Sequence, residues 1–362
     1  MHQPPLRRER LIPSLSEAQL DALLVTNPLN VHYLTGFTGD SSFVIIAPKR
    51  TILVSDTRFS IQIKEDCADL EAAIRGHNKT TWQETADVLA KLGLRSVGIE
   101  SQHLTVASFE NLKNLAPSVK FAPTMGLVEK LRAIKDETEV AAIRAAINFG
   151  HEALAKLRAN LQPGDTEKAM ADALDAHIRR AGGGGTSFET IVAIGDRSAL
   201  PHAIPSDRRL EEASFFLLDW GAKGRYYTSD LTRLIRSPFA GARVESALEK
   251  IYIVVLQAQA RAVAALRPGT PVKDVDAAAR SFIEDAGYGK EFNHGLGHGI
   301  GLQVHEAPDI RSTSPDVLKP GMVFTIEPGI YVEGLGGVRL EDNVLVTPDG
   351  CEVLSAAVPK EL

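Results

Sequence analysis

The sequence predicts an α+β protein in two parts: a smaller α/β domain over residues 1–125, then a larger domain over 126–362 built from two related halves. Three observations lead there. Short apolar runs alternate with helical patterns through the first third. Near residue 125 the composition shifts to charged, helix-favouring residues. Beyond that point one stretch of chain echoes another at matching offsets.

The totals set the frame. The chain has 362 residues, 44% hydrophobic and 24% charged, which suits a soluble globular protein with a substantial core. A net charge of −6 gives no reason to expect nucleic acid or an anionic membrane as partner. Two cysteines, Cys67 and Cys351, make neither a disulfide framework nor a CxxC metal knuckle. The start "MHQPPLRRER" lacks the apolar core of a secretory signal, and no run of about 18 apolar residues is present. The cytoplasm is therefore the expected location.

In chain order, "DALLVT", "SFVIIAP" and "TILVSD" read as strands, "WQETADVLAKLG" as a helix and "SVGIE" as a further strand. Together they suggest a mixed sheet flanked by helices. His32, His77 and His103 stand apart from any cluster of acids and read as structural or solvated. From Glu137 to Leu161 a helix is expected, with Val140, Ile143, Ala146 and Ile147 on its apolar face. The echo follows. "LQPGDTEKAMADALDAHIRRAG" begins at Leu161 and "LRPGTPVKDVDAAARSFIEDAG" at Leu266. Pro163 and Pro268 interrupt helices, while Gly182 and Gly287 suit helix C-termini.

A repeat predicts equivalent features after each copy. The first leads to "FFLLDWGAKGRYYTSDLTRLI", the second to "VFTIEPGIYVEGLGGVRLEDNVLV". Each reads as an apolar strand closed by an acid, a glycine-containing turn, and a strand with a second acid. Folding the first hairpin about Gly224 and Arg225 sets Asp219 opposite Asp230, on the face of Phe215 and Leu217. The second, centred near Gly334, sets Glu327 near Glu341. Solvated turn acids are the alternative, but such acids do not require an apolar strand before them twice. Like charges ~4 Å apart repel by about 4 kcal/mol at an effective dielectric of 20. Four gathered carboxylates must stay partly protonated or be neutralised by metal ions.

"HGLGHGIGLQVHE", from His294 to Glu306, holds four glycines but fits neither Gly-x-Gly-x-x-Gly nor a Walker loop. Its glycines would instead let backbone approach closely around an imidazole. His298 would add a nitrogen ligand to the carboxylates.

On these residues the chain resembles, along its whole length, the creatinase/methionine aminopeptidase superfamily of pita-bread metallopeptidases. The Xaa-Pro peptidase branch, prolidase and aminopeptidase P, is the nearest. The motifs are "LLDWGA", "YTSDLTR", "GLGHGIGL", "TIEPGIY" and "VRLEDN". The resemblance implies a creatinase-type N-terminal domain and a catalytic domain with pseudo-twofold symmetry. It also implies two divalent metal ions. Asp219 would chelate one, His298 and Glu327 the other, and Asp230 and Glu341 would bridge the pair. His202 in "SALPHAIPSD", His294 and His305 match substrate-site histidines, and Arg339 matches an arginine that supports the site.

The reaction so implied is hydrolysis of the first peptide bond when proline is the second residue, by a hydroxide held between the two ions. Glu327 would carry the proton, and His202 and His305 would stabilise the oxyanion or position the peptide. Oxygen-rich ligation with one imidazole favours Mn²⁺ and tolerates Co²⁺, Fe²⁺ or Zn²⁺. The branch often forms homodimers. The competing readings are another pita-bread hydrolase, such as methionine aminopeptidase, and a non-catalytic pita-bread module that binds peptides or proteins.

Overall fold

A computed structural model describes residues 3–239, 244–360 and 362. The chain forms two compact units, Met1–Arg132 and Ala133–Leu362. Among the described residues no helix is long and apolar enough to cross a membrane.

The first unit is a six-stranded mixed sheet with helices. In chain order it runs α1 (Pro4–Glu17), β1 (Ala22–Val25), α2 (Pro28–Thr35), β2 (Phe43–Ala47), β3 (Arg50–Asp56), α3 (Ser60–Asp66) and β4 (Glu71–Arg75). Then come α4 (Thr81–Lys91), β5 (Ser96–Glu100), α5 (Val106–Leu115), β6 (Lys120–Thr124) and α6 (Leu127–Arg132). The sheet order is β4-β3-β2-β1-β5-β6. The four strands and one helix expected here are β1, β2, β3, β5 and α4. Thr80 and Gln83 start α4 with a capping box. The unit ends after α6, beyond the composition change near residue 125, because α6 is tied back to α2. Asn30 donates to Glu129 at 2.6 Å, and Arg132 donates to the side-chain amide oxygen of Asn30 at 2.9 Å.

The second unit carries the repeat. Its first half comprises α7 (Glu137–Asn160), α8 (Glu167–Arg180), β7 (Gly185–Thr186), β8 (Ile191–Ile194), β9 (Phe215–Trp220), β10 (Ala222–Lys223) and β11 (Leu231–Arg236). Its second half comprises α9 (Ser246–Ala264), α10 (Val272–Asp285), β12 (Gly297–Gly299), β13 (Glu306–Ile310) and β14 (Val323–Ile326). It continues through β15 (Gly329–Val332), β16 (Gly336–Arg339), β17 (Asp342–Val346) and β18 (Cys351–Val353). Each half is a helix pair followed by three core strands in the same spatial order, β8-β9-β11 and β12-β14-β17. The echoed segments become α8 and α10, and Gly182 and Gly287 follow them at φ +106° and +89°. Helix α7 starts where a helix should: Asp136 accepts from the Thr138 and Glu139 amides, and Glu139 returns the bond to the Asp136 amide.

Strand β9 is buried on both faces. Phe216, Leu218 and Trp220 pack with Leu154, Leu174 and Ile178 of the α7–α8 side. Phe215 and Leu217 join a second core with Leu248 and Val255 of α9 and Phe324 of β14. Fully burying side chains of this size contributes about 1.5–3 kcal/mol each. The second core is shared by both halves, so it fixes the ends of β9 and β14 against one another.

Candidate active site

The acids meet where those strands end. In the second hairpin the register is as expected. Ile326 pairs with Asp342 and Gly329 with Arg339, so the intervening Glu327 faces Glu341. The glycine at 334 takes φ +78° in the turn. In the first hairpin the register differs from expectation: Asp219 faces Thr232, not Asp230. Gly224 is not central to the turn. Its amide donates to the Tyr227 carbonyl at 2.8 Å, so the chain reverses at Arg225 and Tyr226. That moves the pairing by two residues. A shift of two keeps every side chain on its face, and Asp230 still points to the Asp219 side. The halves are stitched together at the same level, because Thr232 bridges Glu341 backbone to backbone.

Carboxylate oxygens of Asp219, Asp230 and Glu341 lie within 4.8 Å of one another, as do ligand atoms of His298, Glu327 and Glu341. His298 Nε2 is 3.3 Å from Glu327 Oε1 and 3.6 Å from Asp230 Oδ2. All five sequence-predicted ligands thus share one nest. Glycines make room for it: a Cβ on Gly297 would stand 2.0 Å from the Thr325 carbonyl oxygen, and one on Gly299 2.1 Å from that of Ala307.

The nest is electrostatically unsatisfied. Burial, then Glu341, Asp219 and Glu327, hold the Asp230 carboxyl well above its usual range. Burial does the same to Glu341 and pushes Glu327 up to about 7. Buried Asp219 Oδ1 and Glu341 Oε1 have no hydrogen-bond partner. Their second oxygens are held, Asp219 Oδ2 by Arg339 at 2.5 Å and Glu341 Oε2 by Thr232 at 2.7 Å. Buried carboxylate oxygens left bare beside other carboxylates suit hard divalent cations, and four acids with one imidazole are a fitting donor set. The residues present therefore fit a metal pair.

Around the nest opens a cleft of ≈ 880 Å³. His202, His294, His305 and Arg339 all line it. Their situations differ. His202 and His305 are exposed, and the His305 ring lies 4.1 Å from that of His298. Both nitrogens of His294 are engaged, with the Gly295 carbonyl at 2.7 Å and the Tyr331 hydroxyl at 3.1 Å. Burial lowers its pKa to about 4, so the ring is neutral. A directed chain results. Arg339 donates to the Tyr331 oxygen at 2.8 Å, Tyr331 donates to His294 Nε2, and His294 Nδ1 donates to Gly295. Tyr331 was missed in the sequence, as were Thr232, Thr325 and Asn343. Thr325 donates to Glu327 at 3.0 Å, and Asn343 accepts from the Asp230 amide at 3.3 Å. A signal existed. Thr232 follows Asp230 by two residues, Thr325 precedes Glu327 by two, and Asn343 follows Glu341 by two, the spacing that shares a strand face.

Residues 141–348 match metallopeptidase family M24, and residues 7–134 match the creatinase/prolidase N-terminal domain. The chain belongs to metallopeptidase family M24 and is a peptidase of the pita-bread fold. Uncharacterized peptidase YqhT of Bacillus subtilis is 35% identical over 357 residues, covering 99% of both chains. Among solved structures, a Xaa-Pro dipeptidase from Bacillus anthracis superposes with a TM-score of 0.94 at 37% identity, covering 99% of each chain. An X-Pro aminopeptidase from Thermotoga maritima gives 0.89 at 33% identity, covering 98% of this chain and 99% of that one.

Proposed function

We propose that this protein is a metal-dependent Xaa-Pro peptidase, cleaving the bond between a first residue and a proline in second position. The observation that carries the reading is the nest itself: five ligand side chains together, with two buried carboxylate oxygens bare. Similarity to the Xaa-Pro dipeptidase and X-Pro aminopeptidase supports the choice of substrate. Asp219 would hold one ion, His298 and Glu327 the other, and Asp230 and Glu341 both. A pair of divalent ions, Mn²⁺ being favoured by the donors, supplies charge neutralisation, polarises a carbonyl and makes water acidic enough to attack near neutral pH.

The chain's own residues do the rest. Arg339, bonded to Asp219 and Tyr331, aims the Asp219 carboxylate. Thr325 and His298 both engage Oε1 of Glu327. That leaves Oε2 to take a proton from water and deliver it to the proline nitrogen as the C–N bond breaks. The proline nitrogen would be a very poor leaving group as an anion, so it must gain a proton as the bond breaks, and such a group supplies it. His202 and His305 donate to the carbonyl oxygen as it gains charge. The neutral His294 holds the cleft wall through Tyr331.

The test incubates the Mn²⁺-loaded full chain with Xaa-Pro and Xaa-Pro-Yaa-Zaa peptides and reads the products by mass spectrometry. Release of the first residue from either supports the proposal, and the ratio assigns dipeptidase or aminopeptidase character. Elemental analysis should find about two ions per chain. Metal-replete protein inert towards every such peptide refutes it.

A further inference from the structure

Lys135 falls between the two family matches, which end at residue 134 and resume at 141. Its side chain is fully buried, with Nζ 2.8 Å from Oε1 of Glu306, whose side chain is 4% exposed. The contact is an ion pair without the alignment of a hydrogen bond. A buried ion pair is a poor source of stability, because desolvation consumes most of the attraction. Its place in the fold is informative. Glu306 opens β13 and directly follows His305. The carboxylate turns back onto the start of the 301–306 loop, where a Cβ on Gly301 would stand 2.4 Å from Oε1. The same glycine is fastened through its backbone: the Thr228 amide and hydroxyl both donate to the Gly301 carbonyl, at 2.9 and 3.0 Å. Lys135 itself is fixed, since its amide donates to the Gly321 carbonyl at 2.8 Å and Ile134 bridges Met322 just before β14.

We infer that Lys135 is a positioning residue: through Glu306 it sets the 301–306 loop and so aims the His305 imidazole at the cleft beside His298. The inference rests on the reading of His305 as a substrate-facing donor. Lys135 touches no substrate. It fixes the loop to the base of the strand that leads to Glu327, so that donor and proton carrier keep one spacing.

The experiment uses the full Mn²⁺-loaded chain and Lys135→Met. With an Ala-Pro peptide we expect kcat to fall by about 10²-fold, the scale of a displaced catalytic group, with KM within about twofold and near recovery in Lys135→Arg. Because Lys135 acts through His305, adding Lys135→Met to His305→Ala should cost nothing further. An additive double variant, or a His305→Ala enzyme of normal turnover, overturns the inference. Should Lys135→Met fail to fold, the neutral pair Lys135→Met with Glu306→Gln removes the stranded charge. There, restored melting with kcat still low supports positioning, and full recovery of kcat overturns it. A readout independent of turnover is the ¹⁵N-histidine spectrum of the chain loaded with diamagnetic Zn²⁺. Lys135→Met should shift or broaden the His305 ring signal while leaving His202 in place, and an unmoved His305 signal refutes positioning. If the wild-type chain cleaves no Xaa-Pro peptide, the proposed function fails and the spectrum still decides this inference.

Discussion

Replacing Asp230 by asparagine separates two properties that most site mutations confound. Its carboxylate oxygens lie within 4.8 Å of those of Asp219 and Glu341. At that separation each pair of ionised acids repels by ~3.5 kcal/mol for an effective dielectric of 20. Protonation already relieves much of this, because Asp230 and Glu341 are both held well above the ordinary carboxyl range. The remaining gain for metal-free Asp230→Asn at pH 8 should be about 1–2 kcal/mol. For a unit spanning Ala133–Leu362 that is a few degrees in Tm, at ~2–4 °C per kcal/mol. The backbone of Asp230 stays clamped, since Asn343 bonds its amide and carbonyl rather than its carboxylate. With metal the order reverses. At 100 times Kd, Mn²⁺ should stabilise the wild type by about 2.7 kcal/mol, whereas the variant lacks one carboxylate of the proposed ligand set. Turnover should fall about 10²–10³-fold, the usual loss for one preorganised charge at a reacting centre. Melting curves in EDTA and in Mn²⁺, with peptide hydrolysis in parallel, read all three quantities. A variant that melts several degrees below wild type in EDTA, or keeps the full Mn²⁺ shift and near-normal turnover, refutes the reasoning.

Four further outcomes are expected. Metal binding should release protons: Glu327 is pushed up to about 7 by burial and is largely protonated in the metal-free protein at pH 6. Mn²⁺ affinity should therefore climb from pH 6 to 8, and calorimetry in buffers of different ionisation enthalpy should show the released protons; flat affinity contradicts this. In the metal-free protein the same raised acids bind more protons folded than unfolded, so stability present at low pH is lost as pH rises through their folded pKa values. For Glu327 the rise from 4.5 to about 7 corresponds to ~3 kcal/mol, readable as a falling Tm between about pH 5 and 8. Arg339→Met should cost about 3–5 kcal/mol by stranding buried Asp219, and Arg339→Lys should not restore it, because a point charge cannot serve Asp219, Tyr331 and Thr232 together. Gly299→Ala, with its Cβ forced to 2.1 Å from the Ala307 carbonyl, should lower stability by about 1–3 kcal/mol and blunt the Mn²⁺ shift in Tm.

Much of the site could be read from the chain because the signals are local. An apolar strand closed by an acid appears twice, and the glycines around His298 stand where backbone must come close. The repeat could be read for the same reason, and the matching orders β8-β9-β11 and β12-β14-β17 are its three-dimensional form. Pairing register was harder. Gly224 looks like the centre of a turn, yet it closes a two-residue turn at Arg225 and Tyr226, and β10 pairs with the distant β7. Nothing near Asp219 encodes a partner at residues 185–186. The supporting residues escaped notice for another reason. Threonine, tyrosine and asparagine are ordinary in strands, and only knowing which face holds the acids singles out Thr232, Thr325, Tyr331 and Asn343. The Lys135–Glu306 pair is the extreme case, joining residues whose sequence neighbourhoods share nothing.

The bridge between Thr232 and Glu341 has a bearing on how the polypeptide matures. Hydroxyl and carboxylate there are 109 positions apart. While only the earlier copy has left the ribosome, Asp219 and Asp230 have neither the imidazole nor the two glutamates beside them. The five-residue nest therefore closes late, once the final strands dock and the two copies meet.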